Sequence, residues 1–342
     1  MSNFNEEIKE ALQQYDITVV GIKNESYKDK KGVWWIQTPA GYKILKKQSQ
    51  SSDTLNFILD AVEHLKQKGI YIPDVIKTKE GKRFAIIHNT CYVLSEAISG
   101  KTLNYSNNNN IRLIVQELAK FHKASEDFFP SPNTKVRKHL GEWITKYRGE
   151  MHKLEGYYKT ESLNQQPTEF GKIILKEFES FYKQMEDAVN KLEKSNYHQW
   201  SKEAGDKGCL CHQDFAAGNL IYTESKKLFV LDIDSVTLDI PIRDIRKILN
   251  KIMKKKGGWD AETFKYIMTC YHEINPLTPC QWQVLKSTLL YPHLFAGIMS
   301  KYYEGRDKSW TQLKYLKRLE EMLKVEKSLI PVLENFEKLI PS

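Results

Sequence analysis

One stretch constrains this chain more than any other: Cys209–Asp234, CLCHQDFAAGNLIYTESKKLFVLDID. His212, Asp214 and Asn219 stand in the pattern H-x-D-x-x-x-x-N, and an apolar pair of segments, LIY and LFVLDID, follows across the polar turn Thr223–Lys227. The second segment delivers Asp232, thirteen residues beyond Asn219. A loop that ends in Asp and Asn, followed by a hairpin that returns a second Asp, places three oxygen-bearing side chains round one point. Magnesium takes such hard oxygen ligands and keeps its other positions for water and phosphate. Phosphoryl transfer also needs a carboxylate aimed at the attacking hydroxyl. The bland alternative is a hairpin with an Asx turn and an Asp at a strand end, but it does not account for the full spacing.

The segments before this stretch alternate with it in type. Residues 6–15 have helical spacing at Ile8, Leu12 and Tyr15, ITVVGI (17–22) is β-branched, VWWIQT (33–38) and YKILKK (42–47) flank the turn Pro39-Ala40-Gly41, and 53–68 carries one apolar stripe that Asp53 is expected to cap and Gly69 to end. Strands are expected at 70–77, 84–88 and 91–98. The result is an antiparallel meander with one main helix, the architecture of a kinase N-lobe. Such a lobe needs a lysine on its third strand to hold nucleotide phosphates; Lys46 fits, and alternation turns Lys43 to the other face. Its acidic partner is Asp60 or Glu63, which spacing does not separate. The loop before VWWIQT has Gly32 but no G-x-G-x-x-G, so a phosphate cradle there relies on backbone N–H groups with Lys28, Lys30 or Lys31. Backbone groups of Glu96, Ala97 and Ile98, where the chain crosses to its second half, are expected to meet an adenine edge.

Beyond Gly100 the periodicity becomes helical. Helices are expected over 111–124, 138–153, 168–195, 241–255, 260–274, 279–290, 292–304 and 309–336, with the Asn107–Asn110 run as a loop. Asp244, in the first turns of 241–255, either accepts N–H groups of the catalytic loop or favours the helix N-terminus. The length suits two lobes, divided as 1–95 and 96–342. Fifty-two basic against 43 acidic residues give a net charge of +9, which favours anionic partners such as nucleotide phosphates. The basic runs lack the interleaved aromatics of a single-strand platform, so no nucleic-acid partner is expected. No run of eighteen apolar residues occurs, so no membrane span is expected. Five cysteines are too few for a disulfide framework, and Cys209, Cys211 and His212 have poor zinc spacing; the two cysteines read as apolar residues of a buried strand.

The motifs VWWIQT, YKILKK, YVLSEAISG, LAKFHKAS, LCHQDFAAGNL, LDIDSVTLDIPIRDIRKIL, YHEINPLT and LLYPHLF together resemble the aminoglycoside phosphotransferase/choline kinase-like superfamily, and within it the CotS family of spore coat proteins. The resemblance implies an α+β, bilobal protein-kinase-like fold, an antiparallel-sheet N-lobe and a helical C-lobe, with ATP and Mg2+ in the cleft between them. It implies Asp214 as catalytic base with His212 supporting its loop, Asn219 and Asp232 as metal ligands, Lys46 on the phosphates and Asp234 as a further metal or supporting group. It also implies synthesis in the mother-cell cytosol, assembly into the spore coat among other coat proteins, and an unknown phosphate acceptor. An inactive structural coat component that kept a nucleotide-shaped cleft is the alternative.

Overall fold

Alternation and capping account for most of the elements in the computed structural model, which describes residues 2–24, 32–132 and 134–341, with side chains from residue 6 onward. The chain divides into two compact units. The first takes Met1–Leu103, Phe128–Arg137 and Ala217–Val236; the second takes Asn104–Asp127, Lys138–Ala216 and Thr237–Ser342.

The first unit contains α1 (Ser2–Gln13), β1 (Gly21–Asn24), β2 (Val33–Thr38), β3 (Gly41–Gln48), α2 (Ser52–Gln67), β4 (Val75–Ile76), β5 (Ala85–Ile87), β6 (Thr90–Glu96) and β7 (Lys101–Thr102). Five of the strands run in the order β1-β2-β3-β6-β4, and β5 also pairs with β6. Period-two alternation gives this sheet two apolar faces. Trp34, Ile36, Leu45, Tyr92 and Leu94 pack with Ile8, Ala11 and Leu12 of α1, while Cys91 and Val93 pack with Leu55 and Leu59 of α2. Tyr15 fastens the first face: its hydroxyl donates to the Tyr92 carbonyl at 2.8 Å and accepts the Ala85 N–H at 3.1 Å.

Three expectations shift here. The strand expected over 17–22 starts only at Gly21, because Val19 and Val20 are exposed and lack a sheet face to cover. Of the strand expected over 70–77, only Val75–Ile76 pairs with β6; Tyr71 makes a lone bridge to Phe229 instead. The α2 cap is Ser51, whose side chain accepts the Thr54 N–H. Asp53 sits in the first turn, where its charge suits the helix dipole. Lys28, Lys30 and Lys31 lie outside the described residues.

A second, three-stranded sheet of this unit pairs β7 with β9 (Leu220–Tyr222) and β9 with β10 (Leu228–Val230). Gly100 permits that pairing: a Cβ there would stand 2.6 Å from both the Tyr222 carbonyl oxygen and Ile221 Cγ2.

The second unit is helical: α3 (Asn108–Ala124), α4 (Trp143–Ser162), α5 (Glu169–Lys194), α6 (Tyr197–Lys207), α7 (Ile242–Lys256), α8 (Ala261–His272), α9 (Pro279–Leu290), α10 (His293–Tyr303), α11 (Gln312–Glu334) and α12 (Phe336–Leu339), with β8 (Leu210–Cys211) paired to β11 (Thr237–Leu238). The asparagine run expected as a loop is the cap and first turn of α3: the Asn107 side chain accepts the Asn110 N–H at 2.9 Å. The helix expected from 138 starts at Trp143, because Lys138 bridges Leu238 and the His139 N–H bonds the Leu238 carbonyl. α6 was not anticipated; Ser195 and Asn196 break its apolar pattern from that of α5, and Gly208, at φ +71°, ends it.

Glu326 of α11 is only 4% exposed and accepts the Leu294 N–H at 2.6 Å, near the start of α10. Burial pushes its carboxyl up to about 7, against the opposing pull of the Leu294 and Phe295 N–H groups and Arg246. A carboxyl raised in the folded state contributes stability fully below its unfolded value, 4.5, and loses it as pH rises through about 7. The loss across that window is on the order of 3 kcal/mol. Glu326→Gln keeps an oxygen for Leu294 without the charge. Its expected result is a flatter stability profile over that window and a higher unfolding midpoint at pH 8 than wild type. Denaturant titrations of both proteins across pH check this; parallel profiles would count against it.

Candidate active site

The H-x-D loop is held by one buried carboxylate. Asp244, 1% exposed on α7, accepts the His212 N–H at 2.6 Å and the Gln213 N–H at 2.9 Å. Of the two roles expected for Asp244, the structure shows the first. Burial would raise its carboxyl, but the hydrogen bond and charge of His122 more than offset this, and it sits below the ordinary carboxylate range. The His122 ring lies between Asp244 Oδ2 at 3.3 Å and the Tyr271 hydroxyl at 2.8 Å. Cys211 Sγ, which approaches the same cluster, donates to the Ile240 carbonyl at 3.1 Å. Burial drives the Cys211 thiol well above its ordinary value. Tyr271, His122 and Asp244 thus form a hydrogen-bonded brace beside Cys211, and of the two cysteines expected on a buried strand Cys211 lies on β8 while Cys209, also buried, directly precedes it.

Pinned in this way, Gln213 takes φ +71°, a left-handed conformation unusual outside glycine. Its side chain donates to Thr237 Oγ1 at 2.7 Å and accepts from Arg243 Nε at 3.1 Å. The turn reverses the chain so that the His212 ring is fully buried against Phe121 and Phe215, with Nδ1 3.3 Å from the Asp214 N–H. The Asp214 carboxylate is 55% exposed and pairs with Lys251 Nζ at 2.7 Å.

From Ala216 the chain passes into the first unit. Ala217–Asn219 is a 3-10 turn, and the antiparallel register of Val230 on Leu220 lets the Leu231 N–H reach the Asn219 carbonyl at 2.8 Å. Asp232 follows at once, also left-handed at φ +59°. Its Oδ1 lies 2.5 Å from Lys46 Nζ, and Asp234 pairs with the same nitrogen. Arg137 Nη1 donates to the Asp234 backbone carbonyl at 2.5 Å. Burial alone would push the Lys46 ammonium down; Asp234 and Asp232 together outweigh it and leave the group above its ordinary value.

Lys46 and Asp232, nominated separately from the sequence, are therefore brought together. The acid partner sought for Lys46 on α2 is not found there. Asp60 instead binds Arg83 Nη1 at 2.6 Å and the Ser131 N–H at 2.9 Å, and the ion pairs of Lys46 go to Asp232 and Asp234. Lys43, on the opposite face as alternation required, holds the Glu96 carboxylate at 2.7 Å. The Glu96 N–H bonds the Asp74 carbonyl and the Ala97 N–H the Tyr42 carbonyl. Adenine recognition at Glu96–Ile98 would accordingly fall to the carbonyls and to the Ile98 N–H.

The donor set suits magnesium. Two aspartate carboxylates already hold oxygens around one cationic nitrogen, and the Asn219 amide belongs to the turn that closes on the residue before Asp232. All are hard oxygen donors. Asp232 and Asn219 would hold the ion, with Asp234 beside them, and the ion would supply charge neutralisation on the phosphates.

Sequence reading missed Gln213, Arg137 and the cations Arg243, Lys247 and Lys251. The last three recur every fourth residue of one helix, a spacing that could have flagged them.

Comparison with known structures places the fold. A crystal structure of an aminoglycoside phosphotransferase from Alicyclobacillus acidocaldarius superposes with a TM-score of 0.82 at 14% identity, covering 97% of this chain and 96% of that one. A spectinomycin phosphotransferase in complex with ADP and spectinomycin gives 0.66 at 14% identity, covering 96% and 98%. The chain has the kinase-like aminoglycoside phosphotransferase fold, with an antiparallel sheet toward its N-terminus and helices after it. More narrowly, residues 9–336 match the family described as "Spore coat putative kinase YutH", and the chain belongs to that family. Spore coat protein S of Bacillus subtilis (strain 168) is 30% identical over 332 residues, 97% of this chain and 94% of that protein. Among the described residues no helix is long and apolar enough to cross a membrane.

Proposed function

We propose that the protein is a spore coat component that binds ATP with Mg2+ and transfers the γ-phosphoryl group to an alcohol. The observation that carries this reading is Lys46 held between Asp232 and Asp234: a phosphate-binding cation and hard metal ligands within one side chain's reach. Lys46 would bind the nucleotide phosphates, Asn219 and Asp232 the metal, and the backbone at Glu96–Ile98 the adenine. Asp214 would take the proton of the acceptor hydroxyl as its oxygen bonds to the γ-phosphorus and the bond to the ADP oxygen breaks. His212 and Asp244 hold the loop that presents Asp214. The coat setting follows the family and the B. subtilis relative; the nucleotide reading also draws on the ADP named with the spectinomycin enzyme.

A structural coat role without turnover is the second reading. The observation favouring it is the Lys251–Asp214 pair, which engages the carboxylate that would accept the proton. The test of nucleotide binding is stability with ATP, with and without Mg2+. ATP at about 100 times its dissociation constant should add ~2.7 kcal/mol, more with magnesium than without. No stabilisation by Mg-ATP at millimolar concentration would overturn the proposal.

A further inference from the structure

We propose that the alcohol acceptor is anionic: its hydroxyl belongs to a small molecule that also carries a phosphate or carboxylate, bound by Arg243, Lys247 and Lys251. This rests on the reading of Asp214 as the group that receives the acceptor's proton.

Arg243, Lys247 and Lys251 stand on successive turns of α7, and all three turn to the loop that carries Asp214. Arg243 Nε donates to Gln213 Oε1 at 3.1 Å, Lys247 Nζ to the same oxygen at 3.3 Å and to the Gln213 carbonyl, and Lys251 Nζ to Asp214 Oδ1 at 2.7 Å. The partners of Arg243 and Lys247 are thus neutral oxygens, and among the described residues neither has a carboxylate in ion-pairing contact. The nearby acids make their hydrogen bonds elsewhere. Asp244 receives the loop N–H groups and His122. Asp239 takes the Ile240 N–H and the Trp143 indole, and burial pushes its carboxyl up to about 6 against the pull of the Arg243 charge.

Arg246 adds to the excess. It is 8% exposed, and its Nε has no hydrogen-bond partner among the described residues; neither has the buried Tyr147 hydroxyl, which feels the charge of Arg246 and Arg243. Lys247 shows the consequence: burial first, then Arg243, pushes its ammonium down to about 8. Asp244 and Asp214 act on Lys247, and Glu150 and Glu326 on Arg246, without direct ion pairing, and buried cations and donors that lack a direct partner are costly to leave unmatched. An oxyanion on the acceptor would pair with Arg243, Lys247 and Lys251 and hold its neighbouring hydroxyl at Asp214. A cationic acceptor would meet like charge at the same positions.

The probes share one small frame: glycerol 3-phosphate and glycerate as the two anionic sources, glycerol as the neutral alcohol and ethanolamine as the cationic one. Each is titrated calorimetrically into the full chain, and ADP release from Mg-ATP is measured with each. Both anionic alcohols, or the one whose headgroup fits, are expected to bind at least ~10-fold more tightly than glycerol, with ethanolamine weakest. Added salt should weaken only the anionic probes. Lys247→Gln, which keeps a donor for Gln213, should raise Kd and KM for the anionic alcohol about 10-fold without a comparable change for glycerol.

Glycerol or ethanolamine binding as tightly as the anionic pair, or anion binding indifferent to Lys247→Gln, overturns the inference. Preferential phosphorylation of glycerol or ethanolamine overturns it while leaving phosphoryl transfer standing. Charge-dependent glycerate or glycerol 3-phosphate binding with no ADP release from any alcohol supports the anion site and removes the transfer reading.

Discussion

Asp214→Asn is expected to slow phosphoryl transfer by about 10²–10⁴-fold, ~3–5 kcal/mol in activation free energy. The loss is bounded because a loose phosphoryl-transfer transition state asks little of its base beyond positioning. Asparagine keeps the shape of Asp214 and its place after the Gln213 turn, so the loop held by Asp244 should persist. What disappears is the charge that, in the proposed reaction, would orient the hydroxyl and receive its proton. Lys251 loses its carboxylate at the same time, and the cation left behind favours an anionic ligand more than before. Nucleotide affinity should survive, since Lys46, Asp232 and Asp234 are untouched. The measurement is ADP release and acceptor phosphorylation by both proteins at matched nucleotide occupancy. Equal rates would take Asp214 out of the chemistry. No wild-type turnover on any alcohol, despite Mg-ATP binding, would favour the structural coat role.

Features encoded by short-range rules were the legible ones. The β2 strand at 33–38 and the α9 helix at 279–290 fall where the pattern placed them, because each carries its own periodicity and boundary residues. The pairing of Lys46 with Asp232, 186 residues apart in sequence, was not foreseen, although spacing located each on its own element and the kinase-like order nominated both. The acid partner of Lys46 was sought on α2 by that same order, yet it stands on the hairpin itself. No periodicity distinguishes an Asp that pairs with Arg83 from one that pairs with Lys46. The basic face of α7 was hidden for a related reason. Arg243, Lys247 and Lys251 have the spacing of an ordinary solvated stripe, and only their hydrogen bonds to Gln213 and Asp214, more than twenty-five residues earlier, show that the stripe meets the loop. The strand expected at 17–22 failed from the other side: β-branched residues record a propensity, and Val19 and Val20 have no second layer to satisfy it.

Asp232→Asn is expected to remove the magnesium-dependent part of nucleotide binding, about 100-fold in affinity or ~3 kcal/mol. Asparagine is the informative replacement because Asp232 is left-handed, at φ +59°, a conformation that Asp and Asn tolerate better than other side chains. Asp232→Ala should lose the same affinity and some stability besides, which separates the metal's contribution from the backbone's. The sign without magnesium is the sharper diagnostic. In wild type Lys46 is shared between Asp232 and Asp234, and a nucleotide phosphate must compete with both. In the variant Lys46 keeps only Asp234, so Mg-free ATP should bind as well as in wild type or more tightly. Calorimetric titration of ATP into both proteins, with magnesium and with chelator, reads the two effects separately. Unchanged affinity for Mg-ATP in Asp232→Asn would remove Asp232 as a metal ligand; equal losses with and without magnesium would make it a residue that positions Lys46 instead.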